Sequence, residues 1–195
     1  MGRKAHVTRR TEETNIAVAI ELEGRGEAKI ATPVGFFNHM LNTLARHSKM
    51  DLEVEAKGDV EVDFHHLVED TGIVLGQALD EALGDKKGIA RFGEALVPMD
   101  EALALAALDL SGREHLSFTA SFTATKVGNF DTELVREFFY GLVRGGKFTL
   151  HLRLLDGTNT HHAIEALFKA FAKALDRATK VVETRGSVPS TKGVL

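Results

Sequence analysis

Two stretches of this sequence repeat one pattern of histidines and a glutamate, and this repeat constrains the fold more than any other feature. HHLVE begins at His65, and HHAIE begins at His161, 96 residues further along the 195-residue chain. Four of the nine histidines lie in these two stretches. Each stretch opens a segment with the apolar spacing of a helix, 65–84 and 161–183. A chain that reaches the same kind of helix start twice is predicted to contain two copies of one folding unit.

The segments around these helices occur in the same order in both halves. The first half predicts one shorter helix at 36–47 and strands at 15–24, 27–33, 51–56 and 59–64. The second half predicts a helix at 131–143 and strands at 90–99, 102–112, 117–124 and 147–155. Segment 102–112 is mostly alanine and leucine, which favour a helix. We predict a strand there, because the repeat requires one.

This order of elements predicts an α+β protein. We expect a tandem duplicated unit, with residues 1–88 as the first repeat and 89–195 as the second. Two mostly antiparallel four-stranded sheets should pack against a central layer of four helices.

Composition excludes several other classes of protein. The formal net charge is −4, whereas a general nucleic-acid binder is usually basic. No apolar run reaches the roughly 20 residues that span a bilayer, and the N-terminus lacks the apolar core of a signal peptide. We therefore expect a cytoplasmic protein without nucleic-acid or membrane partners. The chain has no cysteine, so nitrogen and oxygen atoms must bind any metal ion.

Helix geometry predicts how the repeated motif would bind metal. His65 and Glu69 are one turn apart and share a helix face, whereas His66 points about 100° away. One ion cannot accept all three side chains. A lone HHxxE stretch is more often a polar turn at the surface, but two copies in equivalent places favour a metal site.

If a pseudo-two-fold axis relates the halves, the odd histidines can be exchanged between two ions. One ion would take His65, Glu69 and His162, and the other would take His161, Glu165 and His66. His39 and Glu137, at matching places on the shorter helices, are candidates for the missing ligands. Imidazole with carboxylate suits manganese, iron, zinc or cobalt.

Seven blocks of sequence, in order, carry a resemblance to a known family. They are RRTEET (9–14), GFFNHMLNTLARH (35–47), DFHHLVEDTGI (63–73), ALVPMDEALALAALDLSGR (95–113), FDTELVREFF (130–139), LDGTNTHHAIEALFKAF (155–171) and SVPSTKG (187–193). Over nearly its whole length the chain resembles the manganese-dependent imidazoleglycerol-phosphate dehydratases of histidine biosynthesis.

The resemblance implies two Mn²⁺ ions per active site. It assigns His39, His66, His161 and Glu165 to the first ion, and His65, Glu69, Glu137 and His162 to the second. Many family members have histidine where this chain has Glu137. Asn38 stands where aspartate is frequent, and Pro33 stands where glycine is frequent. Neither of the last two changes removes a ligand.

The resemblance also implies the reaction and the assembly. D-erythro-imidazole-glycerol phosphate would lose water and give imidazole-acetol phosphate, through an imidazolate held by both metals and a diazafulvene-like intermediate. The implied acid/base residues are Glu13, Glu69 and Glu165, and His47 would contact the substrate. Subunits would assemble through trimers into a shell of twenty-four, with the metals between subunits.

A further set of residues matches the family's phosphate-binding positions: Arg91, Arg113, Lys169, Ser190, Thr191 and Lys192. The tail that carries the last three is expected to order over the ligand. Without the resemblance, each of these residues would be interpreted as surface charge, and Glu13 as a solvated charge at a strand edge.

Two other functions are compatible with the motifs alone. One is a binuclear metallohydrolase that acts on a phosphate ester and releases inorganic phosphate. The other is a metal-storage shell without enzymatic activity, which would not need the arginine and lysine set.

Overall fold

The computed structural model describes residues 2–182, 186–193 and 195. In this part of the chain the strands are β1 (Lys4–Arg10), β2 (Thr14–Glu21), β3 (Ala28–Ala31), β4 (Asp51–Gly58), β5 (Phe92–Met99), β6 (Ala102–Asp109), β7 (His115–Thr119), β8 (Lys126–Val127), β9 (Phe130–Asp131) and β10 (Thr149–Asp156). The helices are α1 (Gly35–Ser48), α2 (His65–Leu83), α3 (Leu134–Gly146) and α4 (Thr160–Thr179).

The four-stranded sheets of the two halves have the same topology, and the second half has in addition the two-stranded β8–β9 sheet. Their sheets are ordered β1-β2-β4-β3 and β5-β6-β10-β7. In each sheet the first two pairings are antiparallel and the last is parallel. Helices α1 and α2 contact the first sheet, α3 and α4 contact the second, and α2 packs on α3 as α1 packs on α4. The predicted α+β class with two four-stranded sheets and four helices is confirmed. The division at residues 88 and 89 stays a prediction.

Aromatic side chains fix the helices that carry the site. Phe37 of α1, Phe138 of α3 and Phe168 of α4 are almost completely buried. The ring of Phe138 lies 5.4 Å from that of Phe37 and 5.3 Å from that of Phe168, measured between centroids. Buried aromatic pairs of this kind add about 0.5–1.5 kcal/mol each beyond their area. They therefore hold the start of α1 in a defined place relative to α4.

Strand β6 forms against its intrinsic propensity, as the repeat predicts. Ala102, Ala104 and Ala106 face inwards and are fully buried. Gly93 on the neighbouring strand lies so close to α4 that a Cβ there would be 2.0 Å from the carbonyl oxygen of Ala174. Small side chains on this face let the helix rest directly on the sheet, and this packing outweighs the helix propensity of alanine.

Two expectations about the strands and helices are wrong, and one strand was missed. Residues 59–64 form a turn, in which the N–H of Val62 donates to the carbonyl of Asp59 and Val62 is 66% exposed. The alternating residues have no neighbouring strand there, because the chain must reverse to begin α2. Strand β1 was not predicted, since only Ala5 is buried and charged residues dominate this edge strand. Helix α3 begins three residues later than predicted, after Thr132 has donated its hydroxyl to the loop carbonyls of Ala124 and Thr125.

Glycines allow α2 and α3 to pack backbone against backbone. A Cβ on Gly72 would lie 2.3 Å from the carbonyl oxygen of Phe138, and one on Gly141 would lie 2.4 Å from that of Glu69. A Cβ on Gly145 would likewise lie 2.1 Å from the carbonyl oxygen of Ile73. Gly141 packs against Glu69, and Gly145, one turn later on α3, packs against Ile73, one turn later on α2. The helices are therefore parallel, and their N-termini lie at the same end.

The C-terminal end of α2 contains a carboxylate between two lysines. The Asp80 carboxylate lies 3.0 Å from the Nζ of Lys86 and 3.0 Å from the Nζ of Lys147. Burial works to raise the pKa of Asp80, but the hydrogen bonds from Lys147 and Lys86 outweigh it and hold the pKa below its ordinary value of 3.8. A group with a lowered folded pKa stabilises the protein above its unfolded pKa and loses that contribution as the pH falls through the folded value.

We therefore expect Asp80→Asn to be less stable than wild type at pH 7, because the buried Lys86 ammonium loses its counter-charge. The expected loss is about 1–3 kcal/mol in the free energy of unfolding. The difference should shrink as the pH falls below 3.8, where wild type loses the same interaction. Urea unfolding at both pH values measures this, with the exposed neighbour Glu81→Gln as the control. An Asp80→Asn deficit that does not change with pH would contradict the prediction.

Candidate metal centre

Three predicted ligands meet between α1 and α4. The Nε2 atoms of His39 and His161 each lie 3.3 Å from Oε2 of Glu165. Their ligand atoms all lie within 4.8 Å of one another. We call this group the α1–α4 cluster; within residues 2–182, 186–193 and 195, no other three His, Asp or Glu side chains converge in this way.

The two oxygens of Glu165 have different partners. While Oε2 faces the two histidines, Oε1 lies 2.8 Å from Nζ of Lys169, one helical turn further on. Burial works to raise the pKa of Glu165, but Lys169 and His39 outweigh it and lower the pKa. The carboxylate is therefore ionised at neutral pH and presents one anionic oxygen to the imidazoles.

The donor set of the α1–α4 cluster fits a divalent transition metal. Two atoms that bind one ion at about 2.1 Å and at about a right angle lie about 3 Å apart. The 3.3 Å separations approach this spacing. Two imidazoles and one carboxylate are ligands that suit manganese, iron, zinc or cobalt. Three ligands leave positions for a further histidine and for a substrate.

The second predicted set is less complete within one chain. Nε2 of His65 lies 3.8 Å from Oε2 of Glu69, so this histidine and carboxylate share a face of α2 as predicted. Glu137 belongs to the first turn of α3, one turn before Gly141, which packs against Glu69. Because α2 and α3 are parallel, Glu137 lies at about the level of His65. Its carboxylate accepts a hydrogen bond from Arg136 at 2.9 Å.

The two odd histidines each meet a carboxylate through Nδ1. His66 Nδ1 lies 2.9 Å from Oδ2 of Asp59, and His162 Nδ1 lies 2.8 Å from Oε2 of Glu101. Asp59 raises the pKa of His66, and Glu101 raises that of His162. In return, His162 and the backbone N–H of Asn159 lower the pKa of Glu101 to about 2. The structure does not bring His66 into the α1–α4 cluster or His162 into the second set.

Outside the two ligand sets, the predicted acid/base and substrate residues are Glu13 and His47. Glu13, in the hairpin between β1 and β2, has Oε1 3.9 Å from Nε2 of His66. His47 lies in the last turn of α1. Burial lowers the pKa of His47, and the positive charges of Lys169 and Lys173 lower it further. The His47 ring is therefore neutral at pH 7 and lies about two helical turns beyond His39 on α1.

The predicted phosphate-binding residues fall into two places. Arg91, just before β5, donates to Asp109 at 2.8 and 3.2 Å and to the carbonyl of Pro189 at 2.7 Å. Lys169 contacts the sulfur of Met99, at the other end of β5. Eight strand residues span about 26 Å, so Arg91 and Lys169 cannot bind one phosphate within a single chain.

The described part of the C-terminal tail lies on the Arg91 side. The carbonyl of Pro189 meets Arg91, and the Oγ of Ser190 accepts from the backbone N–H of Lys192 at 3.2 Å. Thr191 and Lys192 are exposed. A Cβ on Gly112, next to Arg113, would lie 2.7 Å from Leu195. Both arginines and the Ser-Thr-Lys segment therefore lie in one region of the chain.

Sequence reasoning missed the carboxylates that support the histidines. Asp59 fell in a segment predicted as a strand, and Glu101 lies in the tight turn between β5 and β6. It also missed Asp70, which is buried and accepts from Thr14 Oγ1 at 2.5 Å and from Arg9. A usable signal was present only for Asp59, which lies seven residues before His66.

Fold and site together define an α+β protein whose two equivalent halves each present histidines and a carboxylate at a helix start. A family model described as imidazoleglycerol-phosphate dehydratase matches residues 32–175. Imidazoleglycerol-phosphate dehydratase of Acetivibrio thermocellus is 55% identical over 195 residues, covering 100% of both chains. The Bacillus subtilis protein of that name is 54% identical over 193 residues, 99% of this chain and 100% of the relative.

Solved structures agree with these sequence comparisons. The crystal structure of the Staphylococcus aureus imidazoleglycerol-phosphate dehydratase has a TM-score of 0.83 at 45% identity and covers 91% of this chain and 99% of its own. The Pyrococcus furiosus structure, in complex with (S)-C348, also has a TM-score of 0.83, at 39% identity, covering 97% and 100%. The chain belongs to the imidazoleglycerol-phosphate dehydratase family. It is an enzyme of the lyase class, a dehydratase.

Among the described residues, no helix is both long enough and apolar enough to cross a membrane.

Proposed function

We propose that the enzyme removes water from D-erythro-imidazole-glycerol phosphate and forms imidazole-acetol phosphate, a step of histidine biosynthesis. The observation that carries this proposal is the α1–α4 cluster, in which two histidines from different halves meet Glu165. Such a cluster in a member of a dehydratase family supports chemistry on an imidazole ring held by metal ions. The electronic route by which the ring expels the hydroxyl stays a prediction from the family resemblance.

The expected cofactor is Mn²⁺, with two ions per active site. The α1–α4 cluster with His66 would hold one, and His65, Glu69, Glu137 and His162 would hold the other. When bound, the ions would act as Lewis acids on the substrate ring and fix its position. The donor set supports this proposal, because it contains imidazole and carboxylate but no thiolate.

The chain's own carboxylates would move the protons. The leaving hydroxyl needs a proton, and the neighbouring carbon must lose one. Glu13 is 55% exposed and next to His66, so it can exchange protons with water. Glu69 and Glu165 lie within the proposed ligand sets themselves, and the neutral His47 would contact the substrate.

The active site would be shared between subunits. His66 lies outside the α1–α4 cluster, and the two parts of the phosphate-binding set lie at opposite ends of β5. A second copy of the chain could supply what one chain lacks, which supports a homo-oligomer. The trimers and the shell of twenty-four subunits stay predictions. The cytoplasmic location also stays a prediction.

If metal ions join ligands from different subunits, chelation should loosen the assembly. We expect a metal-free sample to dissociate into smaller units such as trimers, as measured by light scattering. Adding Mn²⁺ back should restore the larger particle. A particle that keeps its mass with its metal content removed would contradict shared ligation.

Product analysis tests the proposed reaction against hydrolysis. The purified enzyme with Mn²⁺ is given imidazole-glycerol phosphate, and the ketone product and inorganic phosphate are measured in the same sample. The proposal expects ketone without phosphate. A phosphate ester hydrolase would release phosphate, and a storage protein would give neither product while binding metal.

Glu137 tests the composition of the second ligand set. We expect Glu137→Gln to weaken one of two metal sites and to spare the other, because only the set around His65 and Glu69 would lose a carboxylate. Partners in the outer shell of metal sites commonly contribute 10–100-fold in affinity, so loss of a ligand should cost at least about that much. Titration with Mn²⁺ measures this, with the exposed Glu133→Gln as control. Two unchanged sites in Glu137→Gln would show that Glu137 is not a ligand.

A further inference from the structure

Glu101 has more polar contacts than its exposed position requires. Its Oε2 accepts a hydrogen bond from Nδ1 of His162 at 2.8 Å. Its Oε1 accepts from the backbone N–H groups of Thr158 and Asn159, at 3.2 and 2.6 Å. One side chain in the β5–β6 turn thus binds both the histidine and the loop that precedes α4.

The same loop sets the backbone of the histidine pair. The side-chain oxygen of Asn159 caps α4 by accepting from the N–H groups of His161 and His162, at 2.9 and 3.2 Å. Since Glu101 holds the N–H of Asn159, it fixes the residue that caps the helix. The start of α4 is therefore tied to a turn 61 positions earlier in the chain.

A carboxylate at Nδ1 decides which nitrogen of the ring can bind a cation. An ionised carboxylate only accepts hydrogen bonds, so Nδ1 must carry the proton. The neutral ring then presents the lone pair of Nε2. His66 has the same arrangement with Asp59, which is only seven residues away. His39 and His161 differ, because their Nε2 atoms both face Glu165.

We propose that Glu101 is a positioning residue, which fixes the tautomer and the orientation of His162 so that Nε2 is the nitrogen presented to a divalent cation. This inference rests on the proposed function in one respect, namely that His162 is a metal ligand. Asp59 has the same role for His66, through a local contact. The turn between β5 and β6 is thereby part of the site, although neither of its residues is a predicted ligand.

The variant Glu101→Gln tests the tautomer directly. Glutamine has one acceptor oxygen, and the backbone N–H groups of Thr158 and Asn159 require it. The amide NH₂ must then face Nδ1 of His162, so Nδ1 becomes an acceptor and Nε2 carries the proton. NMR of ¹⁵N-labelled histidine in the metal-free protein, at a pH where the ring is neutral, reports which nitrogen is protonated.

We expect wild-type His162 to carry its proton on Nδ1 and the variant to carry it on Nε2. Mn²⁺ affinity at one of the two sites should fall by about 10–100-fold in Glu101→Gln, as is usual when the partner of a ligating histidine is lost. Glu94→Gln is the matched control, because Glu94 lies on the adjacent strand with a 73% exposed side chain. The control should keep both the tautomer and the affinity.

Two results would overturn the inference. One is an Nε2-protonated His162 in the metal-free wild type, a measurement that does not depend on whether the variant folds. The other is a folded Glu101→Gln protein with unchanged tautomer and Mn²⁺ affinity. Failure of the proposed function would look different, since wild type itself would then bind no Mn²⁺ or form no ketone.

Discussion

Replacing Glu165 with glutamine should remove one of the two proposed metal ions and lower kcat by about 100-fold or more, which exceeds the usual effect of losing an outer-shell partner. The reason is the central place of this carboxylate. Its Oε2 faces both His39 and His161, and its Oε1 faces Lys169. Glutamine keeps the shape but removes the negative charge that a divalent cation requires. Lys169 would also lose its counter-charge at a site where it is only 17% exposed.

Metal content per chain and steady-state kinetics measure this effect. Asp176→Asn is the matched control, because Asp176 lies on the same helix and also pairs with a lysine, Lys49, at 3.0 Å. The control should keep both ions and full activity. Circular dichroism on both variants separates loss of ligation from loss of fold. A well-folded Glu165→Gln enzyme with two ions and normal kcat would show that the α1–α4 cluster is not a metal site.

Much of the fold could be predicted from the sequence because its signal is local and repeated. The two helices that begin with histidine pairs start at His65 and Thr160, within one residue of the predicted starts. Strand β6 could be predicted only from the repeat, since alanine and leucine alone favour a helix. The turn at 59–64 was mistaken for a strand because valine alternates with acidic residues there, as it would in a half-buried strand.

The candidate site was less predictable, because its supporting contacts join distant parts of the chain. The HHxxE motif predicted that His66 points away from the helix face shared by His65 and Glu69. In the structure, His66 lies against Asp59. Nothing in the motif indicates that Glu101 supports His162, since the two residues lie 61 positions apart in the chain. The residue-level partition of ligands between two ions stays a prediction.

The spacing of α2 and α3 was also invisible in the sequence pattern, although four glycines set it. Gly72 and Gly76 lie one turn apart on α2, and Gly141 and Gly145 lie one turn apart on α3. Isolated glycines in a helix usually only lower its stability relative to alanine. Here they let the two backbones touch, and this brings Glu69 close to α3.

Gly141→Ala should therefore be strongly destabilising, even though alanine is the better helix former. The added Cβ would lie 2.4 Å from the carbonyl oxygen of Glu69, and a backbone atom cannot move aside as a flexible side chain can. We expect a loss of about 3 kcal/mol in the free energy of unfolding, at the upper end for overpacked cores. That is a large part of the about 5–15 kcal/mol that stabilises a typical domain.

Gly35→Ala is the matched control, because it adds the same methyl group to a helix where nothing lies within 4 Å of the new Cβ. It should be neutral or stabilising by up to about 1 kcal/mol. Urea unfolding compares the two variants. Gly141→Ala should also weaken the proposed metal site of Glu69 more than that of Glu165, because separating α2 from α3 would move Glu69 away from Glu137. Equal stabilities for the two variants would mean that α2 and α3 have room to separate. Their close contact would then not be what holds the second ligand set together.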